Sequence, residues 1–171
     1  MIEFITNQIN VSGSAAEVRR FINATRDSSG TFKFNTLYRL PAGDSAAKGS
    51  WSVANWGCAS DTIEPMDWDV SADGTEAGIS FATAAYPPDQ FLLKASKEFG
   101  IRFSAHYVCE SGRFVGSMVV ENGKVVEFNH RDWERDCPPE KRSKYQLGFL
   151  EYWPFDPVDT RPAFQQAREK G

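Results

Sequence analysis

The sequence predicts an α+β domain, an antiparallel sheet with two helices on one face. Three observations lead there. Apolar residues recur at helical spacing in two segments, 14–25 and 89–99, each opened by a helix-start signal. Apolar residues recur at every second position over 101–109. Two turn pairs, Asp73-Gly74 and Asn122-Gly123, sit between β-rich runs where hairpins would reverse. With 171 residues, 41% of them hydrophobic, the chain can bury a core without metals or disulfides, so one domain is the default.

Residues 2–11 read as a first strand ending at Ser12-Gly13. Ser14 and Glu17 have capping-box spacing, and Val18, Phe21, Ile22 and Thr25 then form one buried stripe. Residues 31–40 alternate and predict a second strand stopped by Pro41, followed by a loop over 43–49. The Asp73-Gly74 turn predicts strands on either side of it. Pro87, Pro88 and Asp89 restart the chain as a helix that buries Leu92, Ala95 and Phe99 and stops at Gly100. Residues 101–109, 113–120 and 124–129 form a meander through Ser111-Gly112 and Asn122-Gly123. Beyond His130 the periodicity is lost among prolines, with a short helix expected from Pro139. The order predicts a ferredoxin-like sheet over 1–129 with an extra C-terminal hairpin, and an irregular extension over 130–171 lying on the domain.

The balance of 19 basic against 23 acidic residues argues against a generic polyanion binder. No window approaches the ~20 apolar residues of a membrane helix, and the start carries no leader pattern, so a cytoplasmic protein is expected. Cys58, Cys109 and Cys137 are widely spaced, without a C-x-x-C pair, and read as three reduced thiols. No cofactor is expected.

The strongest charge bias lies between Gly49 and Leu93, which contain no Lys or Arg. Asp61, Glu64, Asp67, Asp69, Asp73 and Glu76 crowd its middle. A calcium loop fails on spacing: counted from Asp67, the glycine position holds Ala72 and the bidentate glutamate position holds Gly78. The run is then either a solubilising acidic face or a mimic of a phosphate backbone that occupies the basic groove of a nucleic-acid-binding protein. For nucleophilic catalysis, His106 and Cys109 are separated by an odd step on one strand, which puts them on opposite faces. Arg131, Arg135, Lys141, Arg142 and Lys144 could contact phosphates beside Trp133 and Tyr145, but interleaved acids nearly cancel that charge. Phe149, Tyr152, Trp153 and Phe155 must either dock on the domain or form a patch for a partner or a second subunit.

Asn55-Trp56-Gly57, Phe81-Ala82-Thr83-Ala84-Ala85-Tyr86-Pro87-Pro88 and Glu110-Ser111-Gly112-Arg113-Phe114-Val115-Gly116 resemble the YubB-like family of phage and plasmid proteins, over roughly residues 1–129. The resemblance implies a ferredoxin-like domain of mobile-element origin and carries no catalytic residues. The expectation is a non-enzymatic protein that binds a host protein or nucleoprotein complex, with an anti-defence, anti-CRISPR-like action through Asp61, Glu64, Asp67, Asp69, Asp73 and Glu76, joined by Tyr152 and Trp153. The alternative expectation is a single-stranded nucleic-acid-binding module using the sheet face and the basic residues of 131–144.

Overall fold

The computed structural model describes residues 2–151. Strand β1 (Phe4–Ser12) leads into helix α1 (Ala15–Thr25) through the expected capping box, with Ser14 Oγ accepting from Glu17 N and the Glu17 carboxylate accepting from Ser14 N. A helical turn, α2 (Phe34–Leu37), and helix α3 (Ser45–Trp56) follow. The chain then forms β2 (Asp69–Val70), β3 (Glu76–Ala84), helix α4 (Asp89–Phe99) and β4 (Arg102–Cys109). The hairpin β5 (Phe114–Glu121) and β6 (Lys124–Asp132) is succeeded by single turns α5 (Trp133–Asp136) and α6 (Pro139–Arg142).

All six strands join one sheet in the order β2-β3-β1-β4-β5-β6, and every ladder is antiparallel. Because β3 and β4 both pair with β1 from opposite sides, α4 carries the chain from β3 across β1 to β4. The core lies between this sheet and the helices. Val18, Phe21 and Ile22 of α1 and Phe91, Leu92, Ala95 and Phe99 of α4 meet Ile5, Ile9, Val11, Phe81 and Phe103 of the strands. Phe21 makes edge-to-face contacts to Phe99 at 5.5 Å and Phe103 at 5.2 Å.

Two adjacent cross-strand rows show how the faces divide. Phe81, Asn7, Tyr107, Gly116 and His130 stand opposite one another on the helix side, while Ser80, Gln8, His106, Ser117 and Asn129 form the next row on the far side. Every Phe, Tyr or Trp of the described strands except Phe4 therefore points toward the helices. At the end of the sheet, β6 is exposed along most of its length, including Val125, Val126 and Phe128.

Two expectations are corrected. Residues 31–40 do not form a strand: the Asp61 carboxylate accepts from Phe34 N at 2.7 Å and Asn35 N at 3.3 Å, capping a helical turn from 27 and 26 residues away. The alternating Phe32 and Phe34 both enter the core and meet edge-to-face at 5.5 Å. The second correction is helix α3, which begins inside the expected 43–49 loop. Asp44 caps it by accepting from Ala47 N at 2.8 Å, and only Ser52 and Trp56 are buried along it, so it has too narrow an apolar stripe to announce itself. The sheet also continues past residue 129, to Asp132.

Candidate functional site

The site begins with a gap in a strand. In the row Tyr107–Gly116–His130, the central residue has no side chain, and the Tyr107 ring lies across it. A Cβ at position 116 would overlap both Tyr107 Oη and Cζ and lie 2.7 Å from the Asn129 carbonyl. Through this space Tyr107 Oη reaches His130 Nδ1 at 3.0 Å. Phe114 and Phe128 flank His130 on the same face, Phe114 at 5.3 Å and Phe128 at 6.2 Å with its ring parallel within 1°.

Helix α4 covers only part of this aromatic floor, leaving a groove of about 590 Å³ between its first turn and the β5–β6 hairpin. That volume falls in the range of ligand clefts. Its near rim is set from the centre of the sheet. Buried Asn7 Nδ2 donates to Thr83 Oγ1 at 3.0 Å, and Thr83 Oγ1 donates to the Tyr86 carbonyl at 2.8 Å. This relay holds the turn at Ala85, whose φ of 72° is unusual for a residue with a side chain, and points exposed Tyr86 to the rim. Gly57, the left-handed cap of α3 (φ 92°), lets that helix end abut Asp89, since a Cβ there would lie 2.8 Å from Asp89 N. At the other end, buried Ser96 Oγ accepts from Gly123 N at 2.8 Å and donates to the Leu93 carbonyl at 2.9 Å, tying the hairpin tip to α4.

Burial disfavours charge on the floor. Burial pushes the Tyr107 hydroxyl well above the usual phenol range, with the Asp89 carboxylate adding to the effect. Burial also lowers the His130 imidazole, assisted by Arg135, while Asp132 and Asp136 oppose the shift. Among the described residues, three charged side chains line the groove: Asp89, Arg113 and Asp132. Arg113 is paired with Glu3 at 3.2 Å, and Asp132 Oδ1 caps α5 by accepting from Glu134 N and Arg135 N.

The acidic residues chosen from sequence lie elsewhere, and the structure divides them. Asp61 turns inward as the cap of α2. Asp73 Oδ1 accepts from Ser71 Oγ, Thr75 N and Thr75 Oγ1, bonds that lower its pKa and close the β2–β3 turn. Glu64, Asp67, Asp69 and Glu76 follow the β3 edge of the sheet, where the chain pairs Ile63 with Ala82, Met66 with Ser80 and Asp69 with Gly78. Of the basic residues, Arg135 is ion-paired with Asp136 at 2.7 Å and Arg142 Nε donates to the Cys137 carbonyl at 2.8 Å. Lys144 sits over the Tyr145 ring at 5.4 Å; Arg131 and Lys141 fall on β6 and α6. Among the described strands, Phe4 is the one Phe, Tyr or Trp on the far sheet face. Tyr152 and Trp153 lie outside the described residues. His106 and Cys109 stand on opposite faces of β4, and the Cys109 thiol instead meets Glu3 and Ser111, each at 3.1 Å.

Of the groove residues, Tyr107 and Phe128 were read from sequence only as strand positions, and His130 as the point where the periodicity is lost. The available signal was Gly116 itself, an isolated glycine inside a strand, which marks a close approach by another group.

No family model and no curated protein matches the chain. Among solved structures, the crystal structure of the protein api92 from Yersinia pseudotuberculosis, described under family-model DUF1281, is similar with a TM-score of 0.53 at 7% identity, over 77% of this chain and 98% of that one. At that identity the likeness is one of fold: an α+β arrangement on an antiparallel sheet.

Proposed function

We propose that this chain is a non-enzymatic binding protein whose acidic sheet edge engages a basic surface on a host protein, with an anti-defence action as its specific form. The reading takes the frame as ferredoxin-like, β1-α1-β2-β3-α4-β4 with β2 reduced to two residues and the β5–β6 hairpin added beyond β4; the strand order supports it. One observation carries the functional reading. Glu64, Asp67 and Glu76 follow one edge of the sheet and form no ion pair among the described residues, in a stretch of chain without a single Lys or Arg. A charged edge also resists apolar strand addition, so it favours a cationic partner over a generic one.

The test is the triple variant Glu64→Lys, Asp67→Lys, Glu76→Lys, which spares the structural carboxylates of Asp61 and Asp73. Quantitative capture from the native host at low and high salt should give a partner whose recovery falls with salt and is lost in the variant. A partner retained equally by the variant overturns the proposal. Salt-dependent binding of labelled single-stranded DNA or RNA by both proteins would replace it with the nucleic-acid reading.

A further inference from the structure

The groove between α4 and the β5–β6 hairpin has ring walls and an acidic lining. Phe114, Phe128 and His130 form one side, Tyr107 the floor and Tyr86 the rim. Of the three lining charges, the Arg113 guanidinium is matched by Glu3, and Arg135, which acts on His130, is ion-paired with Asp136, so Asp89 and Asp132 are the charges left in excess. An anion is disfavoured at the one place a helix would offer it. Asp89 is the first residue of α4, and its Oδ1 accepts from Gln90 N at 2.7 Å, so a carboxylate already occupies the positive end of the helix. Aromatic faces and carboxylates together recognise cations with delocalised or alkylated heads, because the ring quadrupoles attract the charge without demanding its full dehydration.

We infer that this groove is a receptor for a guanidinium group, presented as an arginine side chain by a polypeptide partner. The polypeptide source follows from the rim. Val53, Tyr86 and Phe128 are 39%, 55% and 64% exposed and adjoin the same groove, an apolar shelf that a free small cation would leave uncovered. Apolar residues flanking the arginine would cover it while the guanidinium enters between the rings and Asp89. The site stands apart from the acidic edge, which lies beyond β3 at the opposite end of the strand order.

The experiment is a titration of the ¹⁵N-labelled protein with acetyl-Leu-Arg-Leu-amide, with acetyl-Leu-Glu-Leu-amide and with methylguanidinium, followed by NMR. The arginine peptide is expected to saturate and shift the amides of residues around Asp89, Phe128 and His130, and the glutamate peptide to leave them still. Phe128→Ala, at an exposed position, should weaken the peptide by roughly 2- to 30-fold, the span of one cation–π contact. Asp89→Asn should weaken it also, while the edge variant Glu64→Lys, Asp67→Lys, Glu76→Lys should bind as wild type. No shifts around the groove with the arginine peptide, equal shifts with the glutamate peptide, or affinity unchanged in both Phe128→Ala and Asp89→Asn would overturn the inference. Methylguanidinium binding as tightly as the peptide would overturn the polypeptide source.

Discussion

Replacing Gly116 by alanine tests the arrangement on which the groove floor rests. One methyl group at this position collides with Tyr107 Oη and Cζ on one side and with the Asn129 carbonyl on the other. Backbone cannot give way on the Asn129 side without breaking the β5–β6 ladder, so the Tyr107 ring must move. Overpacking of this kind costs about 1–3 kcal/mol. Moving the ring also breaks the bond from Tyr107 to His130 Nδ1, worth about 1 kcal/mol. The sum is about 2–4 kcal/mol, and at the usual ~2–4 °C per kcal/mol for a chain of this size, Tm should fall by about 4–16 °C. Chemical denaturation and thermal melts of wild type, Gly116→Ala, Tyr107→Ala and the double variant give the measurement. In the Tyr107→Ala background the two closest clashes of the added methyl are gone and the Asn129 carbonyl remains, so the cycle should return a coupling of at least ~1 kcal/mol. Gly116→Ala within ~0.5 kcal/mol of wild type, or strict additivity, would refute the reasoning.

Three further outcomes follow from the same structure. Asn7→Ala removes the donor to Thr83 Oγ1 and the Ile5 carbonyl in the middle of the sheet and should cost about 1–3 kcal/mol in urea denaturation, with amide shifts spreading to Tyr86; a variant as stable as wild type with an unmoved Tyr86 would contradict the relay. All three thiols are buried, and the Cys58 thiol is pushed up to about 12 by burial, so native protein should react slowly with an aromatic disulfide reagent at neutral pH and release three equivalents on unfolding; rapid native labelling of Cys58 would contradict its placement. His106 and His130 both titrate below the ordinary 6.5, chiefly through burial, so the unfolded chain takes up protons first and stability should fall as pH drops from 6.5 toward their folded values. Urea midpoints at about pH 7.5 and about pH 5.5 should show the decline, and His130→Gln should flatten part of it; greater stability at the lower pH would contradict the sign.

Legibility from sequence tracked how local each structural cause was. The α1 capping box, the α4 start at Pro87-Pro88-Asp89 and the Asn122-Gly123 turn are written in neighbouring residues, and all stand where expected. The 31–40 segment went wrong because its deciding group, the Asp61 carboxylate, arrives from the far side of α3. Helix α3 stayed hidden because only Ser52 and Trp56 are buried along it, with Trp51 half-buried against the core. The acidic run was visible as composition, and Asp73 bonds locally to Thr75 as in an Asx turn, but the capping role of Asp61, 26 and 27 residues from its partners, and the edge placement of Glu64, Asp67 and Glu76 depend on backbone partners that no spacing rule encodes. The groove needed three strands brought into register before Tyr107, Gly116 and His130 became one row.

The two ends of the sheet set the protein's behaviour in concentrated solution. At the β2 end, carboxylates repel an approaching copy. At the β6 end, Val125 and Val126 are 45% and 50% exposed on a strand of nine residues with no further strand beyond it among those described. Self-association on concentrating should therefore run through β6, and Val126→Lys should raise the concentration at which light scattering first departs from the monomer while leaving the melting curve in place.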